Sequence, residues 1–273
     1  MTVQLGLKGS TDSAQLMDRL QFYPQVYEFH LVDTDLTTEG LQRLRDEIDQ
    51  VKATATTQIV LHHPTRVHGK SLEMITAENQ EPEVYRFLID SSEKLIDLAR
   101  EKDIQVLLHG AYSQKRAQHY LDAYPDIEAA QKVLFDRLDY FQRYGGRHVM
   151  FENSISPLYY YGDAEFDQFI YQKNYRLAFD TSHVFIKSHG DNDVLLAALN
   201  DLYAHIVHYH LVDSMGRKHD SLELGKGKID WARVLPRLNP AATNIYEIGL
   251  ANPNDCLPMV RSHCYARHLQ EQQ

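Results

Sequence analysis

Six short apolar runs in this chain stop in the same way, each on a histidine or a carboxylate. They are Ile59-Val60-Leu61-His62-His63, Val106-Leu107-Leu108-His109, Val149-Met150-Phe151-Glu152-Asn153, Phe179-Asp180-Thr181-Ser182-His183, Ile206-Val207-His208-Tyr209-His210 and Ile245-Tyr246-Glu247. Short apolar runs of this kind are expected of strands buried on both faces, as in a parallel sheet covered by helices. A reactive group at the C-terminal end of one strand is ordinary. The same placement in strand after strand gathers those groups at one rim of a parallel barrel.

The rest of the chain fits that architecture. Strands are expected at residues 3–7, 26–31, 58–62, 105–109, 148–152, 176–180, 205–210 and 244–248. Between them lie stretches with helical spacing of apolar residues: Leu41, Leu44, Ile48 and Val51; Leu88, Leu95, Ile96, Leu98 and Ala99; Ala130, Val133, Leu134, Leu138 and Phe141. Each stripe should pack on a sheet. Strand and helix alternating eight times is an α/β pattern, a single (β/α)8 barrel. The 273 residues, 43% hydrophobic, suffice for one such domain over residues 1–273, with no linker or low-complexity tract to divide it.

Bulk charge narrows the function. With 38 acidic against 28 basic residues, the formal net charge is −10, which disfavours general affinity for nucleic acid or an anionic membrane. No leader-like apolar segment and no membrane-length run is visible, so a cytoplasmic protein is expected. Cys256 and Cys264 match no zinc spacing and make no disulfide framework, so reduced thiols are expected.

The chemistry follows from the strand ends. Glu152, Asp180, His210 and Glu247 terminate strands five to eight, side by side around half of one mouth. Three converging carboxylates repel unless a cation or protons neutralise them. Three oxygen donors and one imidazole suit a divalent ion such as Mn, Co, Mg or Zn. His183 follows Asp180 by three residues, a spacing at which both face the mouth across a tight turn. Strand alternation allows only one of His62 and His63 to point inward; Pro64 favours extended backbone at His63, which is taken as the inward one. His109 ends strand four. His208 shares a face with His210 but lies deeper, as a buried histidine. Two long loops, residues 63–82 and 154–167, are candidates to shape a pocket, the second with the triplet Tyr159-Tyr160-Tyr161. After strand seven, Arg217 and His219 could reach substrate, Gly225-Lys-Gly227 allows a tight backbone path, and Trp231 is expected to pack the next helix.

Together Phe151-Glu152-Asn153, Phe179-Asp180-Thr181-Ser182-His183, His208-Tyr-His210-Leu-Val-Asp213-Ser214, Leu224-Gly225-Lys-Gly227 with Ile229-Asp230-Trp231, and Tyr246-Glu247 resemble the xylose isomerase-like TIM barrels, a superfamily of sugar and sugar-phosphate isomerases and epimerases with an endonuclease IV branch. The resemblance runs over nearly the whole chain and is most specific from strand five onward. In the ketose epimerases it implies one divalent metal ion on Glu152, Asp180, His210 and Glu247. That ion would stabilise an enediolate from a small carbohydrate, with Glu152 and Glu247 moving the proton and His183 and Arg217 holding substrate oxygens.

The second reading is a zinc-dependent abasic-site DNA phosphodiesterase. The endonuclease branch uses positions matching His63, His109, Glu152, Asp180, His183, His210 and Glu247 for three zinc ions. It also has an Asp-x-His pair after strand seven, where this chain reads Gly216-Arg217-Lys218-His219-Asp220. That departure, and the acidic net charge, rank it second. Substrate identity, phosphorylation and a possible homo-oligomer are left open by the sequence.

Overall fold

The computed structural model describes residues 3–112 and 114–272. Eight parallel strands form one sheet in chain order: β1 (Gly6–Gly9), β2 (Val26–His30), β3 (Ile59–His62), β4 (Gln105–His109), β5 (Val149–Glu152), β6 (Leu177–Asp180), β7 (Ile206–Leu211) and β8 (Thr243–Tyr246). Helices α1 (Ser13–Leu20), α2 (Thr38–Thr54), α3 (Pro82–Lys102), α4 (Gln114–Leu121), α5 (Ile127–Gly145), α6 (Ala164–Gln172), α7 (Thr181–Lys187), α8 (Asn192–Asp201), α9 (Trp231–Val234) and α10 (Leu257–Glu271) are interspersed along the chain. This is the expected α/β barrel.

The first strand is Gly6–Gly9 rather than residues 3–7. The side chain of Asn244 takes up the preceding backbone: Gln4 N–H donates to Asn244 Oδ1 at 3.1 Å, and Asn244 Nδ2 donates to Gln4 C=O at 3.0 Å. An amide thus stands in for ladder hydrogen bonds between the first and last strands. Gly6 makes the approach possible, because a Cβ there would lie 1.8 Å from the Asn244 carbonyl oxygen. The shift also puts Lys8 inside a strand, in register with Glu28.

Two apolar cores result. The large one lies between sheet and helices and takes the expected stripes: Leu44, Ile48 and Val51 of α2, Leu88, Leu95 and Ile96 of α3, and Leu134, Leu138 and Phe141 of α5. The small one fills the lumen with Val60, Leu107, Met150 and Ala178. Each of these stands two residues before His62, His109, Glu152 or Asp180, so period-two alternation stacks a polar layer on an apolar floor. Between β6 and β7 the register slips: Leu177 faces Ile206, but Ala178 faces His208 and Asp180 faces His210. The extra residue on β7 is what brings His208 and His210 into phase with Asp180.

Neither long loop becomes a pocket wall as a whole. Tyr159 and Tyr161 are fully buried in the outer core, and Tyr160 stacks on Phe166 at 4.5 Å. The Tyr159 ring lies against Gly110, where a Cβ would come within 2.4 Å of it. The expectation that the tyrosines shape the site is therefore corrected; their apolar area is better used against the sheet. The loop after β3 carries a small hairpin (Arg66–Val67 with Lys70–Ser71) and buries Leu72, Met74 and Ile75. Cys256 is buried, Cys264 is exposed, and neither is paired. Among the described residues no helix is long and apolar enough to cross a membrane.

The same loop buries Glu73 completely. Burial pushes its carboxyl up to about 8, against the weaker pull of the Tyr112 backbone and Arg116. The folded chain therefore holds a proton that the unfolded chain releases near the ordinary carboxyl value. The stability this contributes is complete below about pH 4.5 and is lost as pH rises towards 8. Glu73→Gln keeps the shape without the titration. Its melting temperature, relative to the unsubstituted protein, should rise steadily between pH 5 and pH 8. A difference that stays flat over that range would mean Glu73 titrates like a surface glutamate.

Candidate metal centre

The motif Phe179-Asp180-Thr181-Ser182-His183 is a strand end that turns directly into α7. Asp180 is the N-cap: its Oδ1 accepts from His183 N–H at 2.7 Å and from Ser182 Oγ–H at 2.8 Å. With Oδ1 engaged, Oδ2 is buried and unpartnered. Asn153 clamps the same residue from the neighbouring strand, donating from Nδ2 to Asp180 C=O at 3.1 Å and accepting from Asp180 N–H at 2.8 Å. The Asn153 carbonyl also holds His183 Nδ1 at 2.8 Å, which frees the other ring nitrogen. Thr181 ties the turn to β7 through the carbonyls of His210 and Val212.

Glu152, Asp180, His210 and Glu247 offer ligand atoms that all lie within 4.8 Å of one another. His210 Nδ1 sits 3.1 Å from Glu152 Oε1 and 2.9 Å from Glu247 Oε2. Both Glu152 oxygens are buried and, despite such short distances, receive no well-directed hydrogen bond. Converging carboxylate oxygens without donors fit a cation better than they fit a hydrogen-bonded core. Three further groups share these residues: His62, His109 and Glu152; Asp180, His183 and His219; and Glu28, His208 and His210.

The electrostatics follow from crowding. Burial would raise the Glu152 carboxyl, but His109 and His210 hold it well below the carboxylate range. Glu247 is likewise held low against burial, by Lys8 and then His210, and Lys8 forms an ion pair with its Oε1. Asp180 goes the other way, raised by burial and by Glu247 and Glu152. His210 is lifted well above the ordinary imidazole value by Glu152, Glu28 and Glu247, which outweigh its burial. His109 is pushed down to about 4, mainly by burial. Without a metal ion the cluster is thus balanced by protons on imidazoles and by Lys8.

Of the two adjacent histidines, His62 faces the site. Its Nε2 is 3.6 Å from Glu152 Oε2, and its ring lies 4.8 Å from His30 and 5.1 Å from His109. His63, expected at the site, points outward instead, with Nε2 at 2.7 Å from Ser91 Oγ of α3. Alternation carries His62 to the lumen because β3 runs in register with β2, His62 opposite His30. Arg217 is exposed and does not line the cavity. His219 does line it, its ring 5.0 Å from that of His183. The cavity above the cluster has a volume of about 390 Å³, with Thr65, Tyr112, Arg116 and Ile155 completing its wall.

Sequence reasoning missed Lys8, Glu28 and His30. Glu28 is fully buried on β2, its Oε2 at 2.9 Å from His210 Nε2 and 3.2 Å from His208 Nε2. The signal was present: Val26-Tyr27-Glu28-Phe29-His30 alternates, and in a barrel covered by helices the polar face of such a strand can only be the lumen.

Asp213, noted in the sequence only as part of a motif, organises the loop after β7. It is fully buried; Oδ1 accepts from Ser214 N–H (2.8 Å) and Ile229 N–H (3.2 Å), and Oδ2 accepts from Gly225 N–H (2.8 Å) and Trp231 Nε1–H (3.0 Å). Gly227 is glycine because a Cβ would meet Asp213 Oδ1 at 2.2 Å. This loop carries His219. Asp213→Ala strands four donors and should cost about 3 kcal/mol or more, read by denaturant unfolding, with new protease cleavage between residues 214 and 231. Unfolding at the original denaturant midpoint would show that the loop does not depend on Asp213.

Residues 164–257, about a third of the chain, match the family model described as xylose isomerase-like TIM barrel. No curated protein sequence matches. Several solved structures share the fold over almost the full length. A D-tagatose 3-epimerase-like protein superposes with a TM-score of 0.68 at 15% identity, covering 99% of this chain and 98% of its own. The TTHB071 protein from Thermus thermophilus, soaked with ZnCl2, gives 0.68 at 18% identity, covering 100% and 99%. D-psicose 3-epimerase from Clostridium cellulolyticum, with D-tagatose, gives 0.66 at 10% identity, covering 99% and 98%. At such identities the likeness is one of fold.

Proposed function

We propose that this chain, a xylose isomerase-like TIM barrel, is a divalent-metal-dependent isomerase or epimerase of a small sugar or sugar phosphate. The observation that carries the reading is the convergence of Glu152, Asp180, His210 and Glu247, with oxygens of Glu152 and Asp180 that meet no hydrogen-bond partner among the described residues, beside a cavity of small-molecule size that Glu247 lines. These four would hold the ion, and a bound divalent ion supplies Lewis acidity toward a carbonyl and its neighbouring hydroxyl.

The proton chemistry belongs to the chain. Isomerisation and epimerisation next to a carbonyl need one group to remove a carbon-bound proton and a group to return it. Glu152 and Glu247 flank His210 Nδ1 from strands three apart in the barrel, and both are held in the ionised form that a base requires. Lys8 fixes Glu247 through one oxygen and leaves the other toward the cluster. His183, anchored through Nδ1, turns Nε2 toward the cavity as a partner for substrate hydroxyls. His109 and His62 line the opposite wall.

Glu152→Gln and Glu247→Gln should each lower turnover in a ketose panel about 10²–10⁴-fold while leaving the circular dichroism spectrum unchanged. Full activity in either variant would refute the two-glutamate scheme.

A second reading, phosphodiester hydrolysis with several zinc ions, draws on the two further ligand groups that share Glu152 and Asp180. Metal content separates the two. The isomerase reading expects about one ion per chain, kept in His109→Ala. Two or three zinc ions, reduced by His109→Ala, with chelator-sensitive incision of an abasic duplex, would favour the hydrolase.

A further inference from the structure

Resting on the metal-dependent reading, we infer that Glu28 is a positioning residue that sets the tautomer of His210, so that His210 meets the metal ion through Nδ1. Nothing in the strand-end pattern pointed to Glu28, since it lies in the middle of β2.

The geometry orients the ring. Glu28 Oε2 takes two imidazoles at once, His210 Nε2 at 2.9 Å and His208 Nε2 at 3.2 Å. An ionised carboxylate only accepts, so both Nε2 atoms must carry the proton. His210 Nδ1 lies between Glu152 Oε1 at 3.1 Å and Glu247 Oε2 at 2.9 Å, so without an ion that nitrogen carries a proton too; a divalent ion held by the cluster would take the place of that proton, while Glu28 keeps the one on Nε2. His208 completes the arrangement. With its Nε2 donating to Glu28, its Nδ1 is an acceptor, and Thr243 Oγ1 lies 2.6 Å from it to donate. Thr243 pairs with His208 across β7 and β8, and the register slip on β7 puts both histidines on the lumen face. Thr243, His208, Glu28 and His210 thus form one chain of hydrogen bonds ending at the ligand atom.

A purely structural role accounts poorly for the same facts. A fully buried carboxylate is costly unless its charge is used, and Glu28 Oε1 has no hydrogen-bond partner among the described residues. A carboxylate behind a ligating imidazole holds the ring in place and makes its free nitrogen a stronger donor to the metal ion, typically worth about 10–100-fold in affinity.

The test uses Mn²⁺ alone as the affinity probe, with free ion followed by electron paramagnetic resonance. Zn²⁺-loaded, ¹⁵N-histidine-labelled protein then reports the tautomer by long-range ¹H–¹⁵N spectra. Glu28→Gln should weaken Mn²⁺ binding about 10–100-fold. In the unsubstituted Zn²⁺ protein His210 should carry its proton on Nε2. Should Glu28→Gln fail to fold, Glu28→Asp, which keeps the charge but withdraws it by one methylene, should also weaken binding, and the spectrum of the unsubstituted protein decides the tautomer by itself. Equal Mn²⁺ affinity with and without the substitution, or a His210 proton on Nδ1 in the Zn²⁺ protein, overturns the role of Glu28 and leaves the metal-dependent reading standing. An unsubstituted chain that binds neither ion overturns both.

Discussion

A barrel lumen that holds ionised carboxylates without enough hydrogen-bond donors is the constraint on which the rest of this structure depends. Glu28, Glu152, Asp180 and Glu247 converge inside β2 to β8, and oxygens of the first three are buried with no hydrogen-bond partner among the described residues. Such a group survives burial only if opposite charge lies close by. Here that charge comes from His210, His183 and Lys8. The barrel is therefore built in two registers: a floor of Val60, Leu107, Met150 and Ala178, and above it a layer of charge and imidazole.

Holding that layer in place falls to residues just outside it. Asn153 fixes Asp180 through its backbone, Asp180 caps α7 with one oxygen, and Thr181 ties the turn to β7. Asp213 gathers four donors and so brings the loop with His219 over the mouth. In each case a polar side chain does for irregular backbone what a ladder does for strands. The strand-end motifs thus divide into residues that could offer ligand atoms and residues that shape the backbone around them.

Much of this was legible in the chain. Val149-Met150-Phe151-Glu152 and Leu177-Ala178-Phe179-Asp180 announce strands buried on both faces, and a carboxylate at the end of each can only stand at a rim. The amphipathic stripes of α2, α3 and α5 were equally plain. Lys8 was not, because the apolar residues Val3 and Leu5 drew the first strand too early, and only the amide of Asn244 across the seam moves it. Nor was the choice between His62 and His63, since Pro64 restricts backbone without saying which face the side chain takes.

The sequence by itself determined the fold class and the placing of Glu152, Asp180, His210 and Glu247 at strand ends, because hydrophobic periodicity and the position of a charge within a strand are local properties. Only the tertiary structure decided what lies behind and beside those ligands. Glu28 meets His210 across 182 positions of sequence, Lys8 meets Glu247 across 239, and the slip in β7 that turns His210 toward Asp180 exists only once β6 and β7 are paired. Contacts of that kind are fixed by strand register and barrel closure, which depend on the whole sheet and leave no pattern in any one stretch of the chain.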